Sequence, residues 1–215
     1  MDKIEDVCSE PLVQSRFVKP YLMHYKQNNE AKTWELVTLH ESVAIIIYNK
    51  RRQKLVLVKQ FRPAVYFSGL PSSCRKTGEQ VDTTKYPGSS GVTLELCAGI
   101  VDQDKPLVKI AQQEVLEECG YQVPVEALQK VKTFRAGVGV SGDRQNLFYV
   151  EVNDKMKVAQ GGGLAEEGEM IDVVEISVEE VRAMVDGPEE VTSPAGLLFG
   201  LSWFLQHKAP PAPTP

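Results

Sequence analysis

The sequence predicts an α+β fold built on a mixed β-sheet. Strand-length apolar runs recur from the first forty residues to residue 176, and helix signals are scattered among them at residues 106–119, 177–185 and 195–207. Strict strand–helix alternation is absent, and so is an all-β pattern. With 215 residues, 42% hydrophobic and 25% charged, the chain has ordinary globular composition and a length of about one domain.

The first forty residues alternate weakly through Arg16-Phe17-Val18, Tyr21–Tyr25 and Thr33–Val37, which read as short strands. Ser42–Tyr48 is nearly continuous in apolar residues, Asn49–Gln53 is a polar turn, and Leu55–Phe61 is the return strand of a buried hairpin. Residues 67–90 are rich in Ser, Thr, Gly, Pro and Lys and show no period, so they read as a long loop. Val92–Cys97 then alternates, with Val92, Leu94 and Leu96 on one face and Thr93, Glu95 and Cys97 on the other. Pro106 opens a helix that runs to Cys119, where Gly120 supplies the stop and Pro124 prevents continuation. Asn146–Val152 and Met170–Ile176 are further strands. Ser177-Val178-Glu179-Glu180 has the spacing of a capping box and starts a helix through Val185. Ala195–His207 is a last, apolar helix, and the proline-rich residues 209–215 read as a disordered tail.

A formal charge of −5 argues against a broad nucleic-acid-binding field. The longest apolar run, Gly196–Leu205, is about half of a membrane span, and Met1–Asp6 has no apolar signal region. The expectation is a cytoplasmic protein without membrane or nucleic-acid partners. Cysteines 8, 74, 97 and 119 and histidines 24, 40 and 207 are too scattered for a zinc clip. A metal, if held, would take oxygen ligands.

The most informative stretch is Gly99–Tyr121. Glu114, Glu117 and Glu118 fall at i, i+3 and i+4, within roughly a 100° arc of one helix face. Val108, Ala111, Val115 and Cys119 fall on an arc centred roughly 115° away, so the helix packs on one side and presents carboxylates beside the packed edge. Three such carboxylates repel unless a cation compensates them, and hard oxygens select Mg²⁺, Mn²⁺ or Ca²⁺. The same triplet on an exposed helix would simply be a solvated face. The frame decides between these readings: Gly99 ends a strand fifteen residues before Glu114, and Gly120 follows Glu118 by two.

That frame resembles the Nudix box, G-x5-E-x7-R-E-U-x-E-E-x-G-U with U apolar. Gly99, Glu114, Val115, Glu117, Glu118 and Gly120 fit, and Tyr121 takes the last bulky position. Lys105 stands where the pattern has Glu and Gln113 where it has Arg, two departures that read as coupled. Leu55–Arg62 followed by Glu95–Gly99 is similar to the nucleoside-diphosphate-sugar branch of the family. Residues 137–145, 161–169 and 199–205 narrow the resemblance towards enzymes of UDP-sugars.

The resemblance implies an α/β/α sandwich and Mg²⁺-dependent hydrolysis of the diphosphate bond of a nucleoside diphosphate sugar, UDP-glucose foremost, with Mn²⁺ as a substitute ion. Glu114, Glu117, Glu118 and the Ala98 carbonyl would hold the metal, Glu117 and Glu118 thereby acting in catalysis. The general base would come from a mobile acidic loop, at Glu167 with Glu166 and Glu169 as neighbours, and Gly161–Gly163 would be its hinge. Arg62 is placed to reach a phosphate. Glu95, Asp143, Arg144 and Glu169 would complete the substrate site, and Trp34, Tyr66 or Phe67 could stack on uracil. A homodimer is implied, divided into an N-terminal β-element over residues 1–40, a catalytic domain over 41–208 and the tail. Two rivals remain. One is an ADP-ribose pyrophosphatase, against which stands Ala136 where such enzymes usually carry proline. The other is a non-catalytic nucleotide-sugar sensor, which Lys105 and Gln113 would suit.

Overall fold

A computed structural model describes residues 3–15 and 18–211, the Glu167 side chain excepted. Its strands are β1 (Lys19–Gln27), β2 (Glu30–Thr38), β3 (Ser42–Asn49), β4 (Lys54–Phe61), β5 (Val92–Glu95), β6 (Cys97–Ile100), β7 (Gln129–Arg135), β8 (Arg144–Val152) and β9 (Ile171–Ser177). Its helices are α1 (Pro63–Gly69), α2 (Leu107–Cys119), α3 (Val178–Asp186) and α4 (Ala195–His207).

Strand β3 explains the layering. It is buried on both faces, so its side chains need cover above and below the sheet. Val43, Ile45 and Ile47 pack with Ile110, Ala111, Val115 and Cys119 of α2. Ala44, Ile46 and Tyr48 pack with Val181 of α3 and Leu197, Leu201 and Phe204 of α4. Each fully buried aliphatic side chain contributes about 1.5–3 kcal/mol by leaving water. The result is the sandwich that the resemblance implies. The main sheet runs β5-β4-β3-β8-β7, with β6 also paired to β3 and β9 to β4. It is mixed, because β3 is parallel to β8 and antiparallel to β4 and β6.

The strand expected over residues 92–97 is two strands. β3 and β4 pair only where Ile47–Asn49 meet Lys54–Val56, then diverge. At Leu96 the chain passes from the edge of β4 to that of β3, so Glu95 pairs with Val58 whereas Ala98 pairs with Ala44.

Two elements have no counterpart in the sequence reading. The helix α1 starts at Pro63, directly after the strand, and β7 is a Lys-bearing edge strand whose pairing to β8 slips between Lys130 and Lys132. Residues 67–90 are largely irregular, as expected, but tied down: the Tyr66 hydroxyl donates to the Tyr86 carbonyl at 2.6 Å, and Val81 N–H to Val7 at 2.8 Å.

The helix ends follow the sequence. Gly120 closes α2 in the left-handed region at φ 73°, and Ser177 with Glu180 completes a reciprocal capping box on α3. β1 and β2 form a separate two-stranded sheet. The strand expected at Arg16 and Phe17 and the tail beyond Pro211 lie outside the described residues. Among the described residues, no helix is long and apolar enough to cross a membrane.

Candidate active site

The carboxylate helix does not present a solvated face. Glu118 is only 2% exposed, and Glu114 and Glu117 are half-buried. The Ala98 N–H of β6 donates to Glu118 Oε2 at 2.9 Å. Gly99 lies directly under Glu114, where a Cβ would overlap the carboxylate. A side chain there would force the Glu114 carboxylate out of its place over the strand, which is the physical reason for glycine at this position of β6. Glu117 Oε1 accepts from Gln113 Nε2 at 3.0 Å.

Burial drives the Glu118 carboxyl up to about 8, against the pull of the Ala98 N–H and the Cys97 thiol, and the charges of Glu114 and Glu169 add to the rise. A buried carboxyl with two acidic neighbours is a place that a cation would stabilise. Among the described residues, however, no three His, Cys, Asp or Glu side chains stand as a ready-made metal group. The donor chemistry fits a hard divalent cation, since Glu114, Glu117 and Glu118 rise from adjacent turns of one helix.

Arg62 flanks this cluster. Its Nε and Nη2 donate to both oxygens of Glu95, each at 2.7 Å, and Thr93 Oγ1 bonds Glu95 Oε1 at 2.6 Å. The bonds to Glu95 hold the Arg62 guanidinium more firmly protonated, and Glu118 and Glu169 add to this. Glu95, 6% exposed at its side chain, has both oxygens committed to Arg62. It therefore holds the arginine in place. Thr93 and Cys97 escaped the sequence reading as site residues. The signal was there, in the alternation that puts Thr93, Glu95 and Cys97 on one strand face.

The acidic loop is anchored to α2. Gly162 N–H donates to the Glu118 carbonyl at 2.9 Å and Gly163 N–H to that of Glu117 at 3.2 Å. Gly161, Gly162 and Gly163 have φ of 80°, 114° and 79°, which side chains rarely adopt. A Cβ on Gly161 would overlap the Glu118 carbonyl. In this conformation the three glycines form a strap across the helix end. Beyond it, Glu169 Oε2 accepts from Leu164 N–H at 3.0 Å, and its charge reaches Glu118 and Arg62. Glu166 is exposed. The Glu167 backbone lies in a short 3₁₀ turn; its side chain is outside the described part.

Asp143 and Arg144 stand apart from this group. They line a cleft of about 420 Å³ with Trp34, whose indole N–H donates to the Gly139 carbonyl at 2.8 Å; Arg144 pairs with Glu41 at 3.3 Å. Tyr66 is buried against Phe61, whereas Phe67 is exposed.

No protein-family model matches the chain. It is 41% identical over 218 residues to uridine diphosphate glucose pyrophosphatase NUDT14 of Bos taurus and 39% identical to that of Mus musculus, with 98% of both chains covered each time. It is 32% identical to a GDP-mannose pyrophosphatase of Cronobacter sakazakii over 142 residues, 66% of this chain and 62% of the other.

Proposed function

The chain belongs to the nucleoside-diphosphate-sugar pyrophosphatase branch of the Nudix family, and from that premise we propose that it hydrolyses UDP-glucose to UMP and glucose 1-phosphate with Mg²⁺, for which Mn²⁺ can substitute. The observation that carries the reading is the buried Glu118, beside Glu114 and Glu169 and bonded to Ala98 of β6.

In the reaction, water oxygen bonds to one phosphorus while the bridging P–O bond breaks. Glu114, Glu117, Glu118 and the Ala98 carbonyl would hold the metal, which supplies charge neutralisation and a more acidic water when bound. Arg62, fixed by Glu95 and Thr93, offers its remaining N–H groups to the diphosphate. Asp143 and Arg144, with Trp34, would meet the nucleoside end of the substrate. Glu167 is assigned as the base that takes the proton of the attacking water, and Glu169 as a substrate-positioning group.

A homodimer completes this reading. In β1–β2, Tyr21 pairs with Leu36 and Met23 with Trp34, which puts four apolar side chains on one face. Tyr21, Met23 and Trp34 are 53%, 46% and 52% exposed. The sheet is tied to residues 139–140 through Trp34 and Val37, which still leaves these side chains about half exposed. A second copy of the chain is the occupant that would cover it. Four free cysteines suit a reducing cytoplasm.

The substrate assignment is tested by incubating the protein with UDP-glucose, GDP-mannose or ADP-ribose, with and without Mg²⁺, and resolving the products. UDP-glucose should be turned over fastest, and only with the metal. Preference for ADP-ribose would overturn the substrate, and turnover of none would favour the sensor.

The base assignment has its own test. Glu167→Gln should slow kcat by about 10²–10⁴-fold with KM little changed. Glu169→Gln should chiefly raise KM. If the larger kcat loss falls on Glu169→Gln, the base sits two positions further on.

A further inference from the structure

The two departures from the box meet in space. Lys105 Nζ donates to Gln113 Oε1 at 3.3 Å, and Gln113 Nε2 donates to Glu117 Oε1 at 3.0 Å. The amide is thus oriented from both ends: its oxygen faces the ammonium, which leaves its NH₂ towards the carboxylate. We propose that Lys105 and Gln113 form a positioning relay that restrains the Glu117 carboxylate for metal binding, with Lys105 setting the polarity of the amide. This rests on the reading of Glu117 as a metal ligand.

Three observations bear on it. First, an unrestrained Gln113 amide could flip and aim its oxygen at Glu117, a repulsive contact; the Lys105 cation disfavours that orientation. Second, the two ends differ in freedom. Lys105 is exposed before the helix, whereas Gln113 and Glu117 are half-buried on successive turns of it, so the relay runs from solvent to the cluster. Third, the donor that touches Glu117 is neutral. No positive side chain bonds Glu117 directly to compete with a cation, and the lysine sits one side chain further away. A guanidinium at residue 113 would itself neutralise Glu117 and would also meet Lys105 as a like charge. The chain therefore keeps a donor at residue 113 while moving the cation to residue 105, and the two residues make sense only together.

Lys105 and Gln113 line a cleft of about 450 Å³ with Lys109, Gln112, Leu116, Gln122 and Val123. Lys109 bonds Gln112, and Gln112 bonds the Val123 carbonyl at 2.6 Å, so the neighbouring amide is used for packing and is not an alternative partner for Glu117.

The test is Mn²⁺ affinity by titration calorimetry without substrate, on wild type, Gln113→Ala, Lys105→Met, Gln113→Arg and the double variant Lys105→Glu/Gln113→Arg, with melting temperatures measured alongside. Loss of an outer partner of a metal ligand typically costs 10–100-fold in affinity. Gln113→Ala should weaken binding by about that factor, and Lys105→Met by roughly 3–10-fold, both with folded, cooperative melting. Gln113→Arg alone should also lose affinity. The double variant, with its charges opposed again, should recover to within about threefold of wild type. Unchanged Mn²⁺ affinity in Gln113→Ala would overturn the relay, even if its melting temperature fell. So would a double variant no better than the worse single one. Wild-type protein that binds no Mn²⁺ would instead remove the metal assignment of Glu117, and the relay with it.

Discussion

Glu118→Gln is expected to abolish turnover and, without metal, to raise stability at neutral pH. With Glu118 proposed as a metal ligand, the first effect follows from removing its charge from a cluster asked for several kcal/mol of transition-state stabilisation, so kcat should fall by at least about 10³-fold. The substitution preserves volume, so the fold should survive. The second effect follows from burial. In the metal-free protein the Glu118 carboxyl is pushed up to about 8, from an ordinary value of 4.5. Below pH 4.5 it is neutral in both the folded and unfolded chain and contributes nothing to pH dependence. Between those values the unfolded chain has released a proton that the folded chain retains, so stability falls as pH rises, by up to about 1.4 kcal/mol per unit. Above 8 the dependence stops.

Wild type in chelator should therefore melt about 7–14 °C lower at pH 8 than at pH 5, relative to Glu118→Gln measured in parallel. Saturating Mg²⁺ should remove that difference, because the ion favours the charged form. Differential scanning calorimetry at the two pH values checks it. Parallel pH dependence of wild type and variant would contradict the burial argument.

The second large effect concerns the β1–β2 hairpin. Tyr21→Lys/Met23→Lys places two charges on its apolar face. On a free surface such changes alter stability by about 0.5 kcal/mol or less. On a face covered by a second copy they bury unpaired charge and should convert a dimer to a monomer, with activity lost. Light scattering after size-exclusion chromatography should read a dimer for wild type and a monomer for the variant. A monomeric wild type that still turns over substrate would remove the dimer from the account. This double substitution is a cleaner probe than deleting residues 1–40. That deletion would also remove the strand-like contacts of residues 7–9 with residues 78–81.

Much of the fold was legible because its periodicities are local. The two-sided burial of β3, the Gly120 stop and the Ser177–Glu180 box all follow from neighbouring residues. The missed elements fail for stated reasons. The helix α1 is seven residues long and starts on a proline directly after a strand, so its apolar residues look like loop ballast. β7 alternates lysines with few apolar residues because it is an edge. In the site, spacing identified the three glutamates, but not how deeply Glu118 is buried. That depth depends on the crossing at Leu96, a property of how two other strands diverge. Glu95 was placed on the right face of its strand. Its engagement with Arg62 depends on residues 33 positions apart, which no local pattern encodes.

The glycine strap changes where harm to this enzyme can originate. Inherited or random substitutions are usually sorted by whether they touch an acid. Here Gly161 sits against the Glu118 carbonyl, and Gly163 leaves room for the Glu169 carboxylate. A single methyl group would press on the backbone that carries Glu118 at Gly161 and on the Glu169 side chain at Gly163, and at both it would meet a left-handed φ. Tolerance along the chain is thus set by handedness as much as by chemistry. A missense change more than forty residues from the carboxylate helix in sequence can be as damaging as one within it.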